Sequence, residues 1–109
     1  MRLTYVIKFV SDMDRSLAFH KDVLGLPLKF SSPEWSEFDT GDTTLALHIA
    51  SEGHAAGTCE LGFASDNLDA FYGERDKHGI TFIAPPTQMH GRRVARFRDP
   101  DNAETSVGG

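Results

Sequence analysis

The stretch that decides the fold is Val10-Ser11-Asp12-Met13-Asp14-Arg15-Ser16-Leu17-Ala18-Phe19-His20-Lys21-Asp22-Val23-Leu24-Gly25-Leu26-Pro27. Met13, Leu17, Phe19, Val23 and Leu24 lie in it with the spacing of an amphipathic helix. Asp12 stands where a side-chain oxygen caps the free N–H groups of a first turn. Gly25 stands where helices commonly stop, and Pro27 stands where none can continue. Residues 4–10 before this helix read as a strand. Residues 28–31, 35–40 and 44–50 after it read as three more, separated by Pro33 and by Gly41-Asp42.

The same order is then written a second time. Residues 58–65 read as a strand. A helix begins near Asp66 or Asn67, carries Leu68, Phe71 and Tyr72, and stops at Gly79. Strands follow at 81–83, 93–98 and 103–107, separated by Pro85-Pro86, Gly91 and Asp99-Pro100-Asp101-Asn102. Asp12 and Asn67 align at an offset of 55 residues, which brings Gly25 within one place of Gly79. Internal repetition of this kind defines architecture before any motif is read. The predicted fold class is α+β: one domain of two βαβββ modules, about 1–52 and 56–109, forming a cup-shaped sheet.

Composition sets outer limits. The 109 residues make one domain, and 39% hydrophobic with 25% charged residues is ordinary globular composition. With 11 Lys+Arg against 16 Asp+Glu the net charge is −5, which disfavours a general nucleic-acid binder. No apolar run approaches the ~18 residues of a membrane span, and the N-terminus lacks the apolar stretch of a signal peptide. Cys59 is the only cysteine, so no intrachain disulfide forms and a reducing, cytoplasmic location is expected.

Alternation along the strands assigns their faces. Leu45, Leu47 and Ile49 share the face that a helix covers, which leaves Thr44, Ala46 and His48 on the other. Phe38 faces a helix, so Trp35, Glu37 and Asp39 face away from it. Tyr5, Ile7 and Phe9 also face away, as do Glu60, Gly62 and Ala64. Lys8 falls on the helix side, and Cys59 is expected there as a small buried hydrophobe. The open faces thus combine apolar floor with a few polar groups, as a small-molecule site requires. Arg92, Arg93, Arg96 and Arg98 read as a solvated outer face. His20, His54, His78 and His90 have no metal-ligand spacing and are assigned to surface roles. There is neither a glycine-rich phosphate loop nor a nucleophile elbow.

The segment from Val10 to Leu26 resembles the opening of the vicinal oxygen chelate superfamily, which holds glyoxalases, bleomycin-resistance proteins and extradiol dioxygenases. Leu24-Gly25-Leu26 matches its Leu-Gly-Leu, and Phe19-His20 stands in place of its Phe-Tyr. Phe97-Arg98-Asp99-Pro100-Asp101-Asn102 is similar to its Asp-Pro-Asp-Gly turn before the last strand. The resemblance implies ligand positions on equivalent strands of the two modules, which fall on Tyr5, His48, Glu60 and Ser106. His48 and Glu60 are the metal-ligating candidates, and Glu37, Glu104 or Tyr5 would have to supply a third ligand.

Three functions follow from this reading. The first is a binding protein of the bleomycin-resistance type, holding a small aromatic or cationic compound against Tyr5, Trp35, Glu37, His48, Glu60 and Ser106. The second is a lyase, isomerase or dioxygenase with a divalent metal ion as cofactor and Glu60 as its catalytic, proton-moving group. The third is a non-catalytic domain that uses its sheet for association. A homodimer is expected, because open sheet faces and strand edges need cover; neither nucleic acid nor membrane is an expected partner.

Overall fold

Asp12 caps the first helix, its carboxylate accepting a hydrogen bond from the Arg15 N–H at 3.1 Å. Helix α1 (Met13–Ala18) passes directly into a π-helical turn, Phe19–Val23, in which the Leu24 N–H donates to the Phe19 carbonyl at 3.1 Å. Gly25 then takes φ +70°, open to glycine without strain, and ends the helix. His20 is only 5% exposed, with Nδ1 2.7 Å from the Ser16 carbonyl oxygen and ring contacts to Phe19 and Phe38. A histidine in the superfamily's tyrosine position is therefore a core residue here, not a surface one.

The computed structural model describes residues 1–89 and 91–109, so His90 lies outside the described residues. The chain divides into a first unit, Tyr5–Cys59, and a second, Met1–Thr4 with Glu60–Gly109. In the first unit, β1 (Arg2–Val10), β2 (Leu28–Phe30), β3 (Trp35–Asp39) and β4 (Thr44–Ile49) lie in the order β2-β3-β4-β1. β1 runs parallel to β4, and the other pairs are antiparallel. The helix-covered face is built from Val10, Met13, Phe38 and Leu47, with Leu17, Leu26 and Leu45 packed against them. Phe38 and Leu47 are fully buried, each worth about 1.5–3 kcal/mol of burial.

The second unit repeats the plan. β5 (Cys59–Ala64) is followed by α2 (Leu68–Gly73) and α3 (Arg75–His78), then by β6 (Phe82–Met89), β7 (Arg92–Arg98) and β8 (Glu104–Gly108). The order is β5-β8-β7-β6, with β5 parallel to β8. Asn67 caps α2 as Asp12 caps α1, its side chain accepting from the Ala70 N–H at 3.0 Å. Leu68, Ala95 and Val107 form the core, with Phe63, Phe71, Phe82 and Phe97 around them. Asn102 has φ +67°, the conformation for which glycine or asparagine is suited, so Asn102 can replace the superfamily's glycine. None of the helices among the described residues is long and apolar enough to cross a membrane.

Three expectations are corrected. β6 does not end at Pro85-Pro86 but runs through them to Met89. It is an edge strand, where a residue without an N–H is tolerated, and its register shifts between Ala84 and Thr87. Cys59 is exposed rather than buried. Leu61, on the same face of β5, is exposed too, because the core under this sheet gathers around Phe63, towards the other end of the strand. The arginine run does not form one solvated face. Arg93 pairs with Asp69 of α2 (2.5 Å) on the helix side, while Arg96 and Arg98 lie on the open face.

Candidate functional site

The open face of the first unit gathers four of the expected residues. β3/β4 pairing sets Trp35 opposite His48 and Glu37 opposite Ala46. β1/β4 pairing sets Phe9 opposite His48 and Tyr5 opposite Thr44. The rings then meet: Trp35 and His48 are edge-to-face at 5.8 Å between centroids, and Tyr5 lies 6.3 Å from Trp35. Glu37 holds the indole, accepting from Trp35 Nε1–H at 2.8 Å. Its side chain is 12% exposed, and Lys29 Nζ approaches its other oxygen at 3.9 Å from a largely solvated position.

Two further residues belong to this face. Phe9 is buried and contacts His48 edge-on at 5.6 Å. His54 stacks on the same Phe9 ring at 4.5 Å, its Nδ1 3.3 Å from Ser51 Oγ. Alternation had already put Phe9 on the open face with Tyr5. His54 follows β4 in a turn, where no periodicity points to it.

His48 has a defined tautomer. Nδ1 lies 2.7 Å from the Ile49 carbonyl oxygen. A carbonyl can only accept, so Nδ1 carries the proton and Nε2 keeps its lone pair in the neutral ring. That is the form in which histidine takes a hydrogen bond, a proton or a metal ion.

The second unit's open face is charged. The β5/β8 pairing of Leu61 with Thr105 and Gly62 with Ser106 sets Glu60 beside Glu104 one step earlier, and β7/β8 pairing puts Arg96 opposite Ser106. Arg96 Nη2 donates to Glu60 Oε1 at 2.9 Å and also to Glu104 Oε2. Arg98 Nη2 is 3.9 Å from Glu104 Oε1. The Glu60 side chain is only 8% exposed. On the helix side, the Arg93 hydrogen bond and charge hold the Asp69 carboxyl below its ordinary 3.8.

In the register Tyr5 stands opposite Thr44, and Glu60 and Glu104 fall one step before the Leu61–Thr105 pair. Ser106 is half-buried between Gly62 and Arg96 in the register. As a test of a divalent metal ion, the two units differ. His48 offers a suitable nitrogen. The Glu60 and Glu104 oxygens approach within 4.8 Å of one another, but the Arg96 guanidinium already bonds to both, so that pair does not fit a metal ion as it stands.

A cavity of the first unit lies elsewhere. It measures about 580 Å³ beside the start of α1, with Ser11, Asp12, Ser32 and Ile49 on its walls. Its Asp12 carboxylate is committed to the helix cap, and none of the expected site residues lines it.

Two βαβββ units, each with one helix-covered face and one open face, define the class of fold. The family model of the Glyoxalase/Bleomycin resistance protein/Dioxygenase superfamily matches residues 2–107, and the chain belongs to that superfamily. It is 30% identical to the uncharacterized protein YraH of Bacillus subtilis (strain 168), over 94% of this chain and 93% of that one. A Legionella pneumophila structure described as an NAD-dependent benzaldehyde dehydrogenase is 26% identical, with a TM-score of 0.75 over 95% of this chain and 96% of that one. A glyoxalase/bleomycin resistance protein/dioxygenase superfamily member from Vibrio splendidus 12B01 superposes with a TM-score of 0.73 at 16% identity, over 98% and 97% of the two chains.

Proposed function

We propose that the protein binds a small planar compound, aromatic or cationic, on the open face of its first unit. The observation that carries this reading is the run of ring contacts from Tyr5 through Trp35 and His48 to Phe9, with Glu37 bonded to the indole. Each ring pairing a ligand makes contributes about 0.5–1.5 kcal/mol beyond its buried area. A cation over Trp35 gains ~0.5–2 kcal/mol. Glu37 adds a negative charge beneath it, screened only weakly by Lys29.

Trp35 is the sole tryptophan, so its fluorescence reports directly on the site. Titration with a cationic aromatic compound is expected to give saturable quenching that His48→Ala weakens at least fivefold. No response to cationic or neutral aromatics would overturn the reading.

The alternative, a metal-dependent lyase, isomerase or dioxygenase with Glu60 as proton carrier, is favoured by the His48 tautomer. It is opposed at Glu60, whose carboxylate is engaged by Arg96. Nothing in the chain supports carrying over a nicotinamide-dependent activity, since no glycine-rich dinucleotide loop is present in the sequence.

A further inference from the structure

We infer that Arg96 is a built-in cation for the Glu60–Glu104 carboxylate pair, and that a divalent ion can use this pair only by displacing it. Glu60, Arg96, Arg98 and Glu104 all belong to the second unit. Two carboxylates on adjacent strands, with oxygens within 4.8 Å, repel one another unless a positive charge compensates them. Burial sharpens the demand, because the Glu60 side chain is 8% exposed and that of Glu104 26%. Arg96 meets it from β7, with Nη2 hydrogen-bonded to Glu60 Oε1 (2.9 Å) and to Glu104 Oε2. Arg98 adds a second positive charge 3.9 Å from Glu104 Oε1.

The charges of Glu60 and Glu104 are thus balanced by those of Arg96 and Arg98. A divalent ion brought to the pair would leave two surplus positive charges and would face a guanidinium already bonded to the oxygens it needs. A guanidinium is a permanent cation and does not yield by losing its proton. Ion binding therefore requires Arg96 to swing away and give up two charge-assisted hydrogen bonds. The residue responsible comes from β7, not from the strands to which the resemblance assigns ligands, so it sets the metal dependence of this chain without being a ligand position itself.

Mn²⁺ binding to the full-length protein, followed by electron paramagnetic resonance of the free ion, tests this. Arg96→Gln should bind Mn²⁺ at least tenfold more tightly than the wild type. Adding Glu60→Gln to that variant should abolish the gain. Arg96→Lys, which keeps a charge but loses the planar fork, should fall between. Equal affinity of wild type and R96Q, whether measurable or undetectable, would overturn the inference. Stoichiometric Mn²⁺ binding by the wild type at micromolar concentration that Glu60→Gln abolishes would overturn it as well, and that measurement stands even if R96Q does not fold.

Discussion

Replacing Trp35 by Phe keeps a ring on the open face but removes the indole N–H that Glu37 accepts at 2.8 Å. The Glu37 carboxylate is 12% exposed, and its other contact is Lys29 at 3.9 Å, itself 45% exposed. A hydrogen bond to a charged group contributes about 1.5–3 kcal/mol, while the exposed Lys29 pair offsets no more than ~1 kcal/mol. The smaller ring also gives up apolar burial, so W35F should cost roughly 2–4 kcal/mol in total. Glu37→Gln leaves an amide oxygen that still accepts from the indole, so it should cost about 1 kcal/mol, the loss of charge assistance. With Phe at 35 there is no N–H left to accept, and the double variant should be less destabilised than the sum by about 1–2 kcal/mol. Urea unfolding followed by far-ultraviolet circular dichroism measures this without a tryptophan signal. At a slope near ~1.5 kcal/mol/M, a 2 kcal/mol loss moves the midpoint by ~1.3 M. Costs that add to within ~0.3 kcal/mol would refute the view that Glu37 holds the Trp35 ring.

Two other predictions concern charge and assembly. Arg93 depresses the folded-state value of Asp69, first through the hydrogen bond and then through its charge, so the pair stabilises the fold above 3.8 and that contribution is lost as pH falls through the lowered value. Asp69→Asn should therefore flatten the melting temperature over the acid range below about pH 4, and the difference should shrink in high salt because both groups are solvated; an unchanged acid limb would remove the pair from the account. A homodimer is proposed because β2 is an edge strand with exposed Leu28 and Phe30, close in sequence to exposed Phe19, Val23 and Leu24. Sedimentation at micromolar concentration should show twice the 12.0 kDa chain mass, and a monomer alone would contradict it.

What was legible in the sequence was local or periodic. Asp12 and Asn67 announce their helices because capping involves residues three apart. Parity placed Tyr5, Trp35, Glu37 and His48 on one face because side chains alternate whatever the neighbours do. Features that depend on which strand lies beside which were not legible. Arg96 reaches Glu60 from 36 residues away, across β8, and only the register reveals it. Pro85 and Pro86 look like a boundary until β6 is known to be an edge. The π turn that carries His20 inward has no composition signal, since its residues equally suit an ordinary helix.

The registers also show where the two copies of the motif have parted. With the offset of 55, Tyr5 corresponds to Glu60; the pairing pattern then matches Glu37 with Arg96 and Asp39 with Arg98. The first pair stands opposite Ala46 and Ser106, the second opposite Thr44 and Glu104. Equivalent lattice positions thus carry opposite charge in the two units. The helix-covered faces have not diverged in this way, since both retain apolar clusters that packing demands. Change has concentrated on the faces the helices leave open, where a charge reversal costs little if a neighbouring strand supplies the counter-charge. Glu104 supplies it for Arg96 and Arg98, and Lys29 approaches Glu37. One scaffold thereby holds an aromatic, acidic surface in one unit and a compensated arginine–carboxylate cluster in the other, and these two surfaces are the places to look for this protein's chemistry.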